Sequence, residues 1–283
     1  MRVLAIDSSG ITGTVAIVEG GLTIAVYTIN HKKTHSLTLL PMIDEIVAMV
    51  EEDLANIDAI VVAGGPGSFT GLRIGSATAK GLGLALGKPL VSVPTLEGLA
   101  YQMYGCRELI CPLMDARRNQ VYTGIYTFIE SASKRAHAGH TAIPLTKIEL
   151  VQSHESTSNS ECSRRFLNQQ VDRQILPEFQ VVEEQMAIGI EDLIQKLNGY
   201  GREVVFLGDG VPVYEQALQK GLEVTFSFAP AFLNRQNASA LGALGIIYYQ
   251  KGKWESAAAH RPEYLRLTQA ERERAERELA KQE

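Results

Sequence analysis

Residues 57–87, IDAIVVAGGPGSFTGLRIGSATAKGLGLALG, constrain this chain more tightly than any other stretch. Ile60 to Ala63 is a short, largely β-branched run and reads as a buried strand. Gly64, Gly65, Pro66 and Gly67 end it in a shaped loop, because glycine reaches dihedrals other residues avoid and proline lacks an N–H. Ser68 or Thr70 can cap the next element, and Thr70 to Leu86 suits a helix whose only charges are Arg73 and Lys80.

Glycine inside a helix costs about 1 kcal/mol relative to alanine. Here the small residues are ordered: Gly71, Gly75, Ala79 and Gly83 recur every fourth position and strip one helix face of side chains. Two readings stand. The bare stripe packs on the helix's own sheet, or it meets a helix of a partner. The loop before it has the look of a phosphate cradle, a glycine turn presenting free N–H groups at a helix start. It is not a Walker A loop: no spacing of the glycines yields G-x-x-x-x-G-K-[ST].

The chain before this stretch reads as strands Arg2 to Ile6, Thr14 to Val18 and Leu22 to Ile29, with a Gly20-Gly21 hairpin turn. Thr34 to Val50 is a predicted helix, capped by Thr34 or Ser36, which Pro41 should kink or start late. Its apolar residues, among them Leu39, Met42, Ile43 and Ile46, exceed what one face can bury, which implies cover on two sides; Asp44 and Glu45 mark the wet face. After the glycine-rich helix come a short strand, Val91 to Val93, and a helix, Leu96 to Met103.

Around Gly105 the pattern restarts. Strand Leu109 to Met114 ends in Asp115, and Gln120 to Ile129 alternates as the next strand. A strand ending in aspartate near the start of each half suggests duplicated lobes. Residues 131–180 give little pattern; Ile143 to Val151 is a candidate strand and Ser153 to Ser163 a loop. Beyond them come an amphipathic helix, Glu184 to Leu197, ended by Gly199 and Gly201, a strand Val204 to Leu207, a helix Pro212 to Gln219 and an edge-like strand Glu223 to Phe228. Asn237 to Tyr249 is a helix with a small face of Ala238, Gly242 and Gly245, crossing between lobes or returning to the first. The tail from Thr268 to Glu283 carries a capping box and opposite charges four apart, an exposed helix or a frayed appendage. The domains read as 1–105, a first lobe; 106–232, a second; 233–267, a returning segment; and 268–283, the tail.

Composition narrows the function classes. With 45% hydrophobic and 21% charged residues the chain is an ordinary globular protein, and its net charge of −5 makes it a poor lone binder of nucleic acid. Three cysteines, Cys106, Cys111 and Cys162, are neither a disulfide framework nor enough thiolates for a zinc site. The expected setting is the cytoplasm: MRVLAID reads directly as a strand, and the longest apolar stretch, Gln236 to Gln250, is short of the roughly 20 residues a span needs.

Catalytic patterns are sparse. His31 and His35 have H-x-x-x-H spacing, either a metal pair on a helix or two unrelated side chains near a turn; His137, His140, His154 and His260 form no pattern. No G-x-S-x-G elbow is present, and Cys106 and Cys111 read as small apolar fillers. Asp7, Asp115 and Asp209 each follow a strand, where open α/β folds place ligands; they are either nucleotide–magnesium ligands or turn caps.

IDSSG with Gly13-Thr14-Val15, HSLTLLPMIDEI, GGPGSFTGLRIGSATAKGL, the segment Met114 to Tyr122 and PEYLR at 262–266 together resemble the TsaB family, also called YeaZ. The resemblance implies an α/β chain with the two-lobed actin, sugar kinase and Hsp70 ATPase fold, built of ribonuclease H-like lobes. It implies a non-catalytic subunit without a cofactor or metal. Such a subunit pairs with the catalytic TsaD protein and the ATPase TsaE to place threonylcarbamoyl on N6 of adenosine 37 in tRNAs reading ANN codons; tRNA is met through the complex, and the isolated chain homodimerises.

Carried onto this sequence, the resemblance makes Asp7, Ser9, Asp115, Arg117, Gly208 and Asp209 vestigial nucleotide loops. The first lacks the glycine of Asp-x-Gly, and Arg117 stands where a second-loop glycine is expected. The partner interface falls on the two first-lobe helices, at Leu39, Met42, Ile43, Ile46, Phe69, Gly71, Arg73, Gly75 and Ala79, with Phe69 as aromatic anchor. Arg73, Arg117 and Arg118 are candidates for contact with tRNA or the complex. The alternatives are an active ATPase or small-molecule kinase using Asp7, Asp115 and Asp209, a peptidase, and a protein that only homodimerises.

Overall fold

The computed structural model describes residues 1–31, 34–131 and 176–265. Its first sheet contains β1 (Arg2–Asp7), β2 (Gly13–Glu19), β3 (Leu22–Ile29), β4 (Ala59–Gly65) and β5 (Leu90–Pro94), in the order β3-β2-β1-β4-β5. The first three form an antiparallel meander, and β4 and β5 add in parallel to β1. Parallel strands need crossovers, and helices supply them. Helix α1 (His35–Met49) and helix α2 (Phe69–Leu86) lie side by side on one face. Leu4, Ile6, Val15, Ile17, Ile60 and Val62 meet Leu39, Met42, Ile43 and Ile46 there, an i, i+3, i+4, i+7 stripe.

Helix α1 begins at His35 and runs through Pro41, so the proline does not delay its start; Pro41 lies on the exposed side. Thr34 occupies the N-cap position but its side chain makes no capping bond.

The second sheet contains β6 (Leu109–Pro112), β7 (Met114–Asp115), β8 (Gln120–Ser131), β9 (Leu176–Gly189), β10 (Val204–Leu207) and β11 (Phe226–Phe228). They run in the order β11-β10-β6-β8-β7, with β9 also paired to β8. One face packs on α4 (Ile190–Tyr200) and α5 (Val211–Gly221) through Leu193, Leu197 and Leu218. The other receives Leu96, Leu99 and Ala100 of α3 (Thr95–Tyr101) and a cluster of Tyr101, Tyr126, Phe128 and Phe179. Tyr126 and Phe179 stack with ring centroids 5.5 Å apart.

The expected helix from Glu184 is corrected: residues 184–189 continue β9, and α4 starts after Gly189. Phe179 and Val181 feed the aromatic face while Val182 and Ile188 feed the helical face, so burial on two sides overrides helix propensity.

Helix α6 (Ala238–Gln250) returns to the first sheet, on the face opposite α1 and α2. Its small residues let it sit close: a Cβ at Gly242 would come within 2.8 Å of Val18, and one at Gly245 within 2.5 Å of Val61. Of the described residues, 1–128 and 179–265, which hold nearly all of both sheets, belong to one compact unit. The expected strand at 143–151, the loop at 153–163, the charged tail, Cys162 and His137, His140 and His154 lie outside the described residues.

Candidate functional site

The glycine-rich loop is shaped by what it touches. Ser68 caps α2 by accepting from the Gly71 N–H, and its own N–H donates to the Ser9 carbonyl at 2.6 Å. A Cβ at Gly67 would lie 2.4 Å from that same carbonyl, and one at Gly71 would lie 2.1 Å from the Ser8 carbonyl. On its other side the loop meets the chain's C-terminal segment. The Glu263 N–H donates to the Gly64 carbonyl at 2.7 Å, and Gly65, at φ +114°, has room only for hydrogen beside the Glu263 carbonyl. The loop is thus a packing joint, not an open phosphate cradle.

The bare stripe continues this inward packing. Gly75 faces Ser8 and Val62, Ala79 is in the core, and Gly83 faces Leu90 and Ala257. Seven of the nine interface candidates, Leu39, Met42, Ile43, Ile46, Gly71, Gly75 and Ala79, are therefore buried inside the chain and offer no surface to a partner. Periodicity identified a shared face correctly, but that face turns to the chain's own sheet. Phe69 and Arg73 are on the surface, with the guanidinium carbon of Arg73 4.4 Å from the Phe69 ring centre. The outer face of the pair exposes Leu37, Leu40 and Met49 of α1 and Leu84 of α2, residues that sequence reasoning did not separate from the buried ones. Beside Leu84, the exposed Ala77, Gly81 and Ala85 keep the α2 surface low.

The first candidate nucleotide loop is closed. Asp7 is buried at the end of β1 and accepts from the Ser9 N–H at 2.8 Å; burial raises its carboxyl to about 6. Ser8 donates through its hydroxyl to the Gly71 carbonyl at 2.9 Å, and the Ser9 side chain is buried beside the Asp7 carboxylate. His35 bonds through Nε2 to the Gly10 carbonyl at 2.8 Å, so it serves this loop and does not form a metal pair with the exposed His31. Among the described residues no three His, Cys, Asp or Glu side chains cluster as a metal site.

Gln236, buried just before α6, fills the space between the two sheets' loops. A Cβ on Gly10 would lie 2.7 Å from its Nε2, which sits 4.0 Å from the Met114 sulfur on the other side. No sequence signal marked Gln236; only the meeting of distant segments does.

The second loop leaves β7 at Asp115, whose carboxylate accepts from the Arg117 N–H at 2.8 Å and from the Tyr214 hydroxyl at 3.3 Å. Arg117, Arg118 and Asn119 come next, with φ of +65°, +57° and +56°. Arg117 thus occupies a conformation that favours glycine, as its place in the loop suggests. Gly208, at φ +106°, packs on the Leu113 carbonyl, and Asp209 is held beside the Asp115 backbone. Burial raises the Asp209 carboxyl, and its Oδ1 has no partner. The structure therefore brings Asp115, Arg117, Gly208 and Asp209 together, while Asp7 and Ser9 stand across Gln236. Burial pushes both the Cys106 and Cys111 thiols up to about 12, aided at Cys106 by Glu108, so neither is a ready thiolate.

A meander extended by parallel strands, helices on both faces, a second mixed sheet and loops facing each other at strand ends define a two-sheet α/β protein. Comparison with known proteins places it more finely. The tRNA N6-adenosine threonylcarbamoyltransferase (TsaD) family matches residues 24–274. The tRNA threonylcarbamoyladenosine biosynthesis protein TsaB of Bacillus subtilis is 30% identical over 273 residues, 96% of each chain. Its Escherichia coli counterpart is 34% identical over 129 residues, 44% of this chain and 55% of that one. The solved YeaZ from Pseudomonas aeruginosa superposes with a TM-score of 0.65 at 21% identity, covering 93% of this chain and 99% of that one, and shares the fold. The chain belongs to the TsaB (YeaZ) family.

Proposed function

We propose that this chain acts in tRNA threonylcarbamoyladenosine biosynthesis as a non-catalytic subunit. It docks on a TsaD homologue, joins TsaE in a ternary complex and reaches tRNA through that complex. One observation carries the reading: the first of the loops that would cradle a nucleotide is packed against the glycine-rich loop and Gln236, while the outer face of α1 and α2 is apolar and exposed. The interface is then re-centred on Leu37, Leu40, Phe69, Arg73 and Leu84, with a homodimer of the isolated chain competing for the same face.

Size-exclusion chromatography with light scattering, mixing this chain with the TsaD homologue of the same genome, tests the docking. A one-to-one complex should form and be lost in Leu40→Glu combined with Leu84→Glu, at unchanged melting temperature. Retention of the complex in that variant would move the interface elsewhere. Full tRNA modification by a reconstituted system lacking this chain would remove the subunit role altogether.

A further inference from the structure

We propose that the left-handed turn at Arg117 to Asn119, together with Lys220, contacts RNA phosphate, and that the open pocket beside it receives an unstacked base. The choice of RNA rests on the proposed function; the site rests on its own geometry. Three successive non-glycine residues hold φ between +56° and +65°. Such a run persists only where its surroundings fix it. The Ala116 N–H donates to the Gln120 carbonyl at 3.0 Å, the Gln120 N–H to the Arg117 carbonyl at 3.2 Å, and the Ile190 N–H to the Asn119 carbonyl at 3.1 Å. All of these are backbone bonds that glycine would make with less strain.

The arginine side chains do something else. The Arg117 side chain is 87% exposed and meets Asp115 Oδ2 at 3.3 Å, a geometry that adds little to folding; Arg118 is exposed too. They line an open pocket together with Ile190, Val213, Tyr214 and Ala217 and with the polar Asn119, Gln216 and Lys220. Three cations face two carboxylates there, Glu191 and Asp115, and Asp115 is already engaged by the Arg117 N–H and Tyr214. A guanidinium fork matches phosphate, and a lining of apolar and aromatic side chains beside amides matches a splayed base and its edge. In a chain of net charge −5, a basic rim of this kind is local, so it orients RNA that a larger complex captures.

The test is fluorescence anisotropy of an in vitro transcribed tRNA reading an ANN codon, titrated across a salt series. It uses the chain alone first and then the TsaD complex. The wild-type chain should bind with an affinity that falls as salt rises. Arg117→Gly with Arg118→Gly should bind about tenfold more weakly, with a log–log salt slope shallower by about 1.5. The same variant should melt no lower than wild type, because glycine relieves the turn; a merely structural role predicts a lower melting temperature and unchanged RNA affinity. Lys220→Gln should shift affinity in the same direction without touching the turn. Unchanged affinity and slope in both variants overturn the proposal. So does no measurable tRNA binding by wild type alone or in complex, or loss of the TsaD complex with RNA affinity retained, which would make the turn a protein contact. Failure of the wild-type chain to bind TsaD would overturn the docking reading and leave the tRNA titration of the chain alone to decide this one.

Discussion

Phe69 and Tyr264 lie ring against ring with centroids 5.1 Å apart, joining the glycine-rich loop to the segment near the far end of the described chain. The Arg73 guanidinium also lies over Phe69, so the aromatic ring contacts both a cation and a second ring. An aromatic pair of this kind is worth about 0.5–1.5 kcal/mol beyond area burial. A double-mutant cycle with Phe69→Ala and Tyr264→Ala should return a coupling energy in that range by chemical denaturation. Zero coupling would mean that the Glu263–Tyr264 segment is not docked in solution.

Two glycines of α2 should respond in opposite directions to alanine. A Cβ at Gly75 would come 2.5 Å from the Ser8 hydroxyl, which is itself donating to Gly71. Gly81, nearer the C-terminus on the exposed side, has nothing within 4 Å of an added Cβ. Gly75→Ala is expected to destabilise by about 1–3 kcal/mol through overpacking, and Gly81→Ala to stabilise by about 1 kcal/mol through helix propensity. Thermal melts of both variants decide it; a Gly75→Ala protein as stable as wild type would show the stripe to be loosely packed.

That contrast also separates what was legible in the sequence from what was not. The apolar runs at Val3 to Ile6 and Ile60 to Val62, the Gly20-Gly21 turn and the capping serine at Ser68 act through neighbours in the chain, so these strands and the start of α2 could be read directly. The stripe Gly71, Gly75, Ala79, Gly83 revealed a shared face, but periodicity does not say whether a sheet or a partner covers it; Ser8 and Ala257, far off in sequence, do. The same holds for Leu39 and Leu40, neighbours in the chain, of which one is 1% and the other 55% exposed. Gln236 and Tyr214 were illegible because each works by meeting a residue about a hundred or more positions away. At 184–189, local helix signals lost to the continuation of β9, whose Phe179 and Val181 pack on one face of the sheet and Val182 and Ile188 on the other.

Asp7 ties stability to pH with a definite sign. Burial holds its carboxyl protonated to about pH 6 in the folded chain, against an ordinary value of 3.8 when unfolded. Between those values the native state binds more protons than the unfolded one, so this group's contribution makes stability fall as pH rises through the window and level off above it. Asp7→Asn retains an acceptor for the Ser9 N–H and removes the buried charge. It is expected to gain on the order of 2 kcal/mol at pH 8 and close to nothing at pH 4. Urea unfolding at the two pH values checks it. A loss of stability at pH 8 would mean that the Asp7 charge is compensated, as a working cation site would require.

Glu97 is a second buried acid, between α3 and α6, and the half-buried Tyr248 donates through its hydroxyl to the carboxylate. Burial raises the Glu97 carboxyl, and the tyrosine bond works against that rise. The Lys253 ammonium lies 4.5 Å from the Tyr248 ring centre and helps hold the ring. Tyr248→Phe keeps the ring, the packing and the cation contact, and removes only the donor. The carboxylate left behind is then buried without that partner, a loss of about 1–3 kcal/mol at neutral pH. Because the folded acid titrates above its unfolded value of 4.5, its contribution favours the native state at low pH and declines as pH rises through that value. Removing the donor raises the folded value further and widens the window. The variant should therefore be markedly less stable than wild type at pH 8 and nearly equal to it at pH 4. Equal losses at both would assign the effect to packing, and no loss at either would mean that water replaces the hydroxyl between the two helices.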